Sequence, residues 1–304
     1  MNLIVAHAPT TAMAVERYEA IQPRLPKATF ASTSIHRANL EELADDIDCF
    51  VLDGFGVLNV GDVTVPGAVE RIEKLRGMGK QLRVLTNGAT MPVTRTLAKY
   101  QRWGMSFEAS EVVSSRDALA RRLKSGADER WGFVAIEESE LNTMVPNAVL
   151  LKDDDSVYDS CTGFVLLGTR DWTAERQMRL RKALAKRPRP VLVGNPDLVA
   201  PWPEKLSIEP GSYAHDLQDH EVAVPEFYGK PFDNAFAIVR ETLQGIAPER
   251  IAMVGDTLHT DILGGAQTGW KTVLITGHGL LRDQDVEAAI QRSGIRPDYI
   301  VPTT

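Results

Sequence analysis

The sequence predicts an α/β fold: a three-layer, doubly wound parallel sheet interrupted by an inserted α/β domain. Three observations predict it. The apolar run Phe50-Val51-Leu52 ends on a carboxylate, Asp53, with Gly54 and Gly56 close behind. Strand and helix patterns then alternate to about Lys124. After a long interval the rhythm resumes at Phe227 and runs to Val301. Such alternation implies parallel strands joined by right-handed crossovers. Open sheets of this kind bind ligands outside the carboxyl ends of their strands. Asp-Gly alone would signal a hairpin equally well; the chain beyond Asp53 decides between the two.

In chain order, residues 1 to 35 read as an extension with one helix, about Ala12 to Ile21, ended by Pro23 and Pro26. Leu40, Leu43 and Ile47 lie three and four apart, which predicts a short helix over Asn39 to Ile47. The Asp53 strand comes next, then a Gly- and Val-rich loop or small flap over 54–64. Pro66 is expected to start a helix, with Val69, Ile72 and Leu75 inside and Gly79 as its stop. Leu82 to Leu85 is a strand ending Thr86-Asn87-Gly88, and after it comes a helix with Pro92 in its first turn. Glu111 to Val113 and Arg116 to Lys124 complete this half.

The polar break Ser125 to Arg130 marks a domain boundary. The expected division is 36–125 with 225–304 as the core, and 126–224 as the inserted domain. Within the insert, strands are expected near Phe133–Ile136, Ala148–Leu151, Gly163–Gly168 and Pro190–Gly194. Its helices are Thr173 to Lys186 and Ser212 to Asp219. Asn195-Pro196-Asp197 and Pro201-Trp202-Pro203 read as turns. The core resumes at Phe227 to Pro231. Asp233 is expected to cap a helix with Phe236, Val239 and Leu243 inside. Ile251 to Val254 ends Gly255-Asp256, Thr260 to Thr268 is a helix closed by Gly269, and Lys271–Ile275 and Asp298–Val301 are the last strands.

Composition limits the function classes. The 304 residues are 25% charged and 43% hydrophobic, with a net charge of −7, an ordinary globular balance. No basic tract supports nucleic-acid binding. The densest cluster, Arg176 to Arg189, reads as the solvated face of a helix whose apolar side is Met178, Leu180 and Leu184. No stretch is long and apolar enough to span a membrane, and the first residues lack a basic segment of the secretory kind. Two cysteines, Cys49 and Cys161, lie in or beside apolar runs and are expected to be reduced, which fits the cytoplasm. None of the six histidines has metal-ligand spacing. Trp131, Trp172 and Trp202 fall in the insert; most read as packing, with Trp172 or Trp202 free to face a substrate.

Asp53, Thr86, Lys230, and Asp256 with Asp261 all close or succeed apolar runs, so a parallel sheet gathers them at one edge. Each has an ordinary reading alone: Thr86-Asn87-Gly88 as a turn, Lys230 as solvated, Asp256 and Asp261 as acids favoured at a helix start. Four such punctuations in one order are harder to explain separately than as one site. Carboxylates crowded together need a cation, and oxygen ligands with spare positions suit Mg²⁺. Lys230 and the Thr86 hydroxyl suit a phosphate. Asp53 can then attack, because carboxylates act as nucleophiles through aspartyl-phosphate intermediates.

Asp53-x-x-Gly-Val-Leu, Leu85-Thr86-Asn87, Tyr228-Gly229-Lys230-Pro231 and Val254-Gly255-Asp256-x-x-x-x-Asp261-Ile262 resemble the four motifs of the haloacid dehalogenase superfamily. The insert between the second and third motifs resembles a C2-type cap. Asn195-Pro196-Asp197 and the run Gly255 to Gly269 resemble subclass IIA, the NagD-type phosphatases. The resemblance spans about residues 45 to 304. It implies Asp53 as nucleophile and Mg²⁺ ligand, with the Phe55 backbone carbonyl and Asp256 as further ligands. It implies that Asp261 orients metal-bound water, and that Thr86, Asn87 and Gly88 bind the phosphoryl group with Lys230. Asn195 and Asp197 are expected near the substrate, a small phosphorylated metabolite; a homo-oligomer is compatible with this.

One departure matters. Phosphatases of this family usually carry aspartate two residues after the nucleophile, where this chain has Phe55. Gly54 is also unusual, since that position is commonly larger and apolar. General acid–base help is worth about 10²–10⁴ in rate, so alkyl phosphates should be poor substrates and aryl or acyl phosphates should suffer less. His259 and Asp62 are candidate replacements. Two other readings stand beside the phosphatase: a dehalogenase-like hydrolase attacking carbon, and a phospho-ligand binding protein without turnover.

Overall fold

A computed structural model of the protein describes residues 3–5, 9–123 and 129–304. Lys124 and most of the expected break at Ser125 to Arg130 lie outside the described residues, as do the first two residues and 6–8. Seven parallel strands form the larger sheet, in the order Ile35–His36, Tyr299–Val301, Lys271–Ile275, Ile251–Gly255, Cys49–Leu52, Gln81–Thr86, Val112–Ser114. Alternation along one strand explains the layers. Phe50 and Leu52 point into a core shared with Ile72, Leu75 and Tyr100. Cys49 and Val51 point into the opposite one, with Phe236 and Val239. Both faces are covered by helices, so the central strands read as continuous apolar runs.

From Cys49–Leu52 the chain first builds outward through Gln81–Thr86, then returns to the other side at Ile251–Gly255. The strand order reverses between Cys49–Leu52 and Ile251–Gly255, and the carboxyl ends of those two strands carry Asp53 and Asp256. Such switch points are where open α/β sheets form crevices.

The smaller sheet is also parallel, in the order Glu226–Phe227, Val191–Val193, Gly163–Leu166, Trp131–Val134, Val149–Leu150. One face packs on the helices Ala174–Lys186 and Pro210–Asp219 through Leu180, Leu184, Ala214 and Leu217. The other packs Trp131, Phe133 and Val165 on Leu119 and Leu123 of helix Ser115–Leu123.

Several expectations are corrected. Phe227 pairs with Val193 in the smaller sheet, so the larger sheet does not resume there. Pro66 precedes its helix, which runs Ala68–Gly77 behind a left-handed Gly67. Asp233 is the first helical residue rather than the cap, and pairs with Arg240 at 2.7 Å. Pro201 ends a strand, Val199–Pro201, antiparallel to Leu206–Ile208. The expected helix at Thr260 starts earlier, as a wide turn over Leu258–Ile262 that runs into Leu263–Gln267. Met178 faces solvent, whereas Leu180 and Leu184 are buried. The flap over 54–64 is a hairpin, Asn59–Val60 against Val63–Thr64. Helix Thr11–Ile21 buries Ala14, Val15 and Tyr18 against Leu258 and Ile262. Both cysteines are free and buried. Among the described residues no helix is long and apolar enough to cross a membrane.

Candidate active site

Asp53 ends its strand, and the turn after it is held by its own carboxylate: Oδ1 accepts from the Gly54 N–H at 2.7 Å. Gly54 has a steric reason. A Cβ there would sit 3.1 Å from the Tyr100 hydroxyl and 3.4 Å from Thr86 Oγ1. Tyr100 thus takes the space a larger neighbour of the nucleophile would fill. Gly56 adopts φ +77, and its Cβ would lie 2.5 Å from Asp256 Cγ. Gly279 borders the same side chain, where an added Cβ would lie 2.0 Å from Asp256 Cβ. The Asp256 carboxylate is therefore cradled by two glycines. Its Oδ2 accepts from the Leu280 N–H at 2.7 Å and its Oδ1 from the Thr257 hydroxyl at 2.9 Å.

Lys230 is the counter-charge. Its Nζ lies 2.6 Å from Asp53 Oδ1 and 2.7 Å from Asp261 Oδ1, and it is almost fully buried. The second Asp261 oxygen accepts from the Thr257 N–H at 3.2 Å. Ligand oxygens of Asp53, Asp256 and Asp261 all lie within 4.8 Å of one another. One lysine cannot balance three buried carboxylates. Burial first, opposed by Lys230 and reinforced by the neighbouring aspartates, pushes Asp53 up to about 8. Burial, with Asp261, pushes Asp256 up to about 7. Burial pulls Lys230 down, but Asp261 and Asp53 outweigh it and hold the ammonium charged. Hard oxygen donors, excess negative charge and close spacing are what a divalent cation needs, so the residues fit one. Phe55 lies in the same turn, at the position from which its backbone carbonyl is expected to serve as a further ligand.

Thr86 is buried at its strand end, and its hydroxyl accepts from the Gly88 N–H at 3.1 Å. That closes the Thr86-Asn87-Gly88 turn beside Gly54. The side chain of Asn87 is fully committed to the protein. It accepts from the Lys230 N–H at 2.7 Å and donates to the Lys230 carbonyl at 2.9 Å and to Asp197 Oδ1 at 2.8 Å. Any contact of Asn87 with a phosphoryl group falls to its backbone. Asn195 is also structural: Oδ1 accepts from the Asp197 N–H at 2.9 Å, and Nδ2 donates to Glu209 at 3.1 Å. Asp197 does reach the cluster, joined to it through Asn87.

Phe55 stands half-buried at the rim, its ring 6.5 Å from that of Trp202 and 5.5 Å from the Lys99 ammonium. Lys99 also lies 5.0 Å from the Trp103 ring. Trp172 instead donates to Gln177 in the core of the smaller sheet. His259 is buried and stacked on Tyr18 at 5.1 Å, and burial pushes it down to about 4. Asp62 is exposed on the hairpin. The residues missed by sequence reasoning are Tyr100, Lys99 and Tyr18. Tyr100 reads from the sequence only as a helix-face residue; its hydroxyl is the overlooked signal. Tyr18 Oη accepts from the Leu198 N–H at 3.0 Å, behind Asp197.

Residues 50–145 match the family model described as haloacid dehalogenase-like hydrolase, and residues 227–304 match the HAD-hydrolase-like model. The chain is 27% identical over 253 residues to the dihydroxyacetone phosphatase of Corynebacterium glutamicum, covering 83% of this chain and 87% of that one. It is 24% identical to the acid sugar phosphatase of Staphylococcus aureus, over 82% of this chain and 92% of the relative. A solved structure, a possible sugar phosphatase from Cytophaga hutchinsonii, superposes with a TM-score of 0.76 at 25% identity, over 89% of this chain and 98% of that chain.

Proposed function

The chain belongs to the haloacid dehalogenase-like hydrolases and is a phosphatase of their NagD-type subclass IIA; on that premise we propose that it hydrolyses small phosphorylated metabolites through an aspartyl-phosphate on Asp53, with Mg²⁺ as cofactor. The observation that carries this is the Lys230 ammonium between Asp53 and Asp261, with Asp256 completing the carboxylate cluster. Asp53 supplies the attacking oxygen. Lys230 opposes the upward push that burial gives that carboxylate and lowers the charge that an incoming phosphate meets. Thr86 and the backbone of the Thr86-Asn87-Gly88 turn hold the phosphoryl oxygens. Mg²⁺, held by Asp53, Asp256 and the Phe55 carbonyl with Asp261 behind, would neutralise the dianion. Residues 126–224 act as a cap that excludes water and shapes the leaving-group side. Relatives named for dihydroxyacetone and sugar phosphatase activity make sugar and polyol phosphates the first substrates to try.

Phosphate release from aryl, acyl and alkyl phosphates, with Mg²⁺ and with EDTA, tests this for the native chain and for Asp53→Asn. Metal-dependent release lost in the variant is the expected result. Metal-independent turnover would favour the carbon-attacking chemistry. The absence of any turnover would favour the second reading, a phospho-ligand binding protein, which Phe55 in place of the acid supports.

A further inference from the structure

An alkoxide leaving group needs a proton, and the Phe55 ring has none to give. A carboxyl able to give one arrives from the smaller sheet. Asp197 comes after strand Val191–Val193, at the carboxyl end of that sheet. Its loop is fixed from several sides. Asn195 Oδ1 accepts from its N–H. Tyr18 Oη takes the next N–H, that of Leu198. Gly211 lies beneath, where a Cβ would come within 2.1 Å of the Pro196 carbonyl oxygen and 2.6 Å of that of Asp197. Asp197 Oδ1 accepts from Asn87 Nδ2 at 2.8 Å, and the same amide holds the backbone of Lys230. Oδ2 has no hydrogen-bond partner among the described residues. The charges that Asp197 faces are those of the cluster: Lys230, Asp53 and Asp261.

We propose that Asp197 is the general acid and base of this site, doing from the cap side the work for which position 55 has no group; this rests on the phosphatase reading above. The other candidates are engaged elsewhere. Glu209 accepts from Ser207 and Asn195, His259 is stacked on Tyr18, and Asp62 is on the exposed hairpin. Burial, opposed by Lys230 and reinforced by Asp53, pushes the Asp197 carboxyl up to about 8, so it carries the needed proton at neutral pH.

The steps balance. An Asp53 oxygen forms a bond to phosphorus as the phosphorus–oxygen bond to the leaving group breaks. The Asp197 proton passes to the departing oxygen, giving the alcohol and an Asp197 carboxylate. That carboxylate then takes a proton from water as the water oxygen attacks phosphorus. Asp53 leaves as carboxylate, phosphate is released and Asp197 is protonated again.

The test compares glycerol 3-phosphate, whose leaving group needs a proton, with p-nitrophenyl phosphate, whose leaving group does not. Asp197→Asn keeps an oxygen for Asn87 to donate to. It should lower kcat/KM on the alkyl ester by about 100-fold or more and on the aryl ester by less than about tenfold. Phe55→Asp added to Asp197→Asn should restore much of the alkyl activity. Equal losses on both esters would reduce Asp197 to a positioning residue acting through Asn87, and no loss on either would remove it altogether. Should the variant fail to fold, the native chain decides. A shallow dependence of kcat/KM on leaving-group pKa across alkyl and aryl phosphates supports the proposal, and a steep one overturns it. Failure of the native chain on p-nitrophenyl phosphate sinks the phosphatase reading and this proposal together, whereas aryl turnover with a steep dependence sinks only this one.

Discussion

The side-chain amide of Asn87 grips the backbone of Lys230 at both ends, accepting from its N–H at 2.7 Å and donating to its carbonyl at 2.9 Å. This pairing joins two strand ends that are far apart in sequence, and it fixes the root of the lysine that reaches Asp53. Both of these hydrogen bonds are buried. Leaving a buried polar group unpaired costs about 1–3 kcal/mol. Asn87→Ala should therefore destabilise the protein by about 2–4 kcal/mol in urea unfolding, and phosphate release should fall with it. Unchanged stability would mean that water replaces the amide without cost.

Lys230→Met removes the ammonium that pairs with both Asp53 and Asp261. Breaking a buried pair from one side typically costs about 3–5 kcal/mol, because the remaining charge has no partner. We expect that loss in EDTA, and a larger rise in Tm on adding Mg²⁺ than the native chain shows, since the cation then meets uncompensated carboxylates. Calorimetry with and without metal checks both. A loss below about 1 kcal/mol would mean that the carboxylates are already neutral in the folded chain.

How much of this is legible in the sequence depends on whether a residue acts locally. Asp53, Thr86 and Asp256 each end an apolar strand, so the sheet edge that gathers them can be read from the run and its punctuation. Lys230 lies beyond a strand too, but that strand belongs to the other sheet: Phe227 pairs with Val193. Nothing local assigns that strand to either sheet, because it is only two residues long, an exposed Glu226 and a half-buried Phe227. Asn87 reads as a phosphate ligand; its side chain is instead consumed by partners more than a hundred residues away, Lys230 and Asp197. Tyr100 is legible as a buried helix residue, but its fit against Gly54 depends on how that helix crosses the sheet. Pairings of this kind have no periodicity and no spacing to betray them.

Gly279 offers a test of the cradle around Asp256. A Cβ there would overlap the aspartate side chain at 2.0 Å, too close to relieve without moving the carboxylate or the loop. Leu280, the next residue, donates to Asp256 Oδ2. Gly279→Ala should therefore weaken Mg²⁺ binding by about tenfold or more, as loss of a group that orients a ligand commonly does. Titration calorimetry of the variant reads this directly. Binding equal to that of the native chain would mean that Asp256 is not a ligand.

His215 should make the fold sensitive to acid. It lies on helix Pro210–Asp219, 1% exposed, with its ring stacked on Phe227 at 4.9 Å and Nδ1 without a partner among the described residues. Burial first, then Arg24 and Arg17, against the opposing pull of Asp219, pushes it down to about 3. Above the unfolded value of about 6.5 the ring is neutral in both states, and no pH dependence arises from it. As pH falls below that value the unfolded chain takes the proton while the folded chain cannot. Stability is thus progressively lost from about 6.5 down to the folded value, at about 1.4 kcal/mol per pH unit. Urea unfolding of the native chain and of His215→Leu at about pH 7.5 and about pH 5.0 checks this. The native chain should lose about 2 kcal/mol more than the variant over that interval. Equal losses would mean that the imidazole is hydrated and titrates normally in the folded state, despite its stack on Phe227.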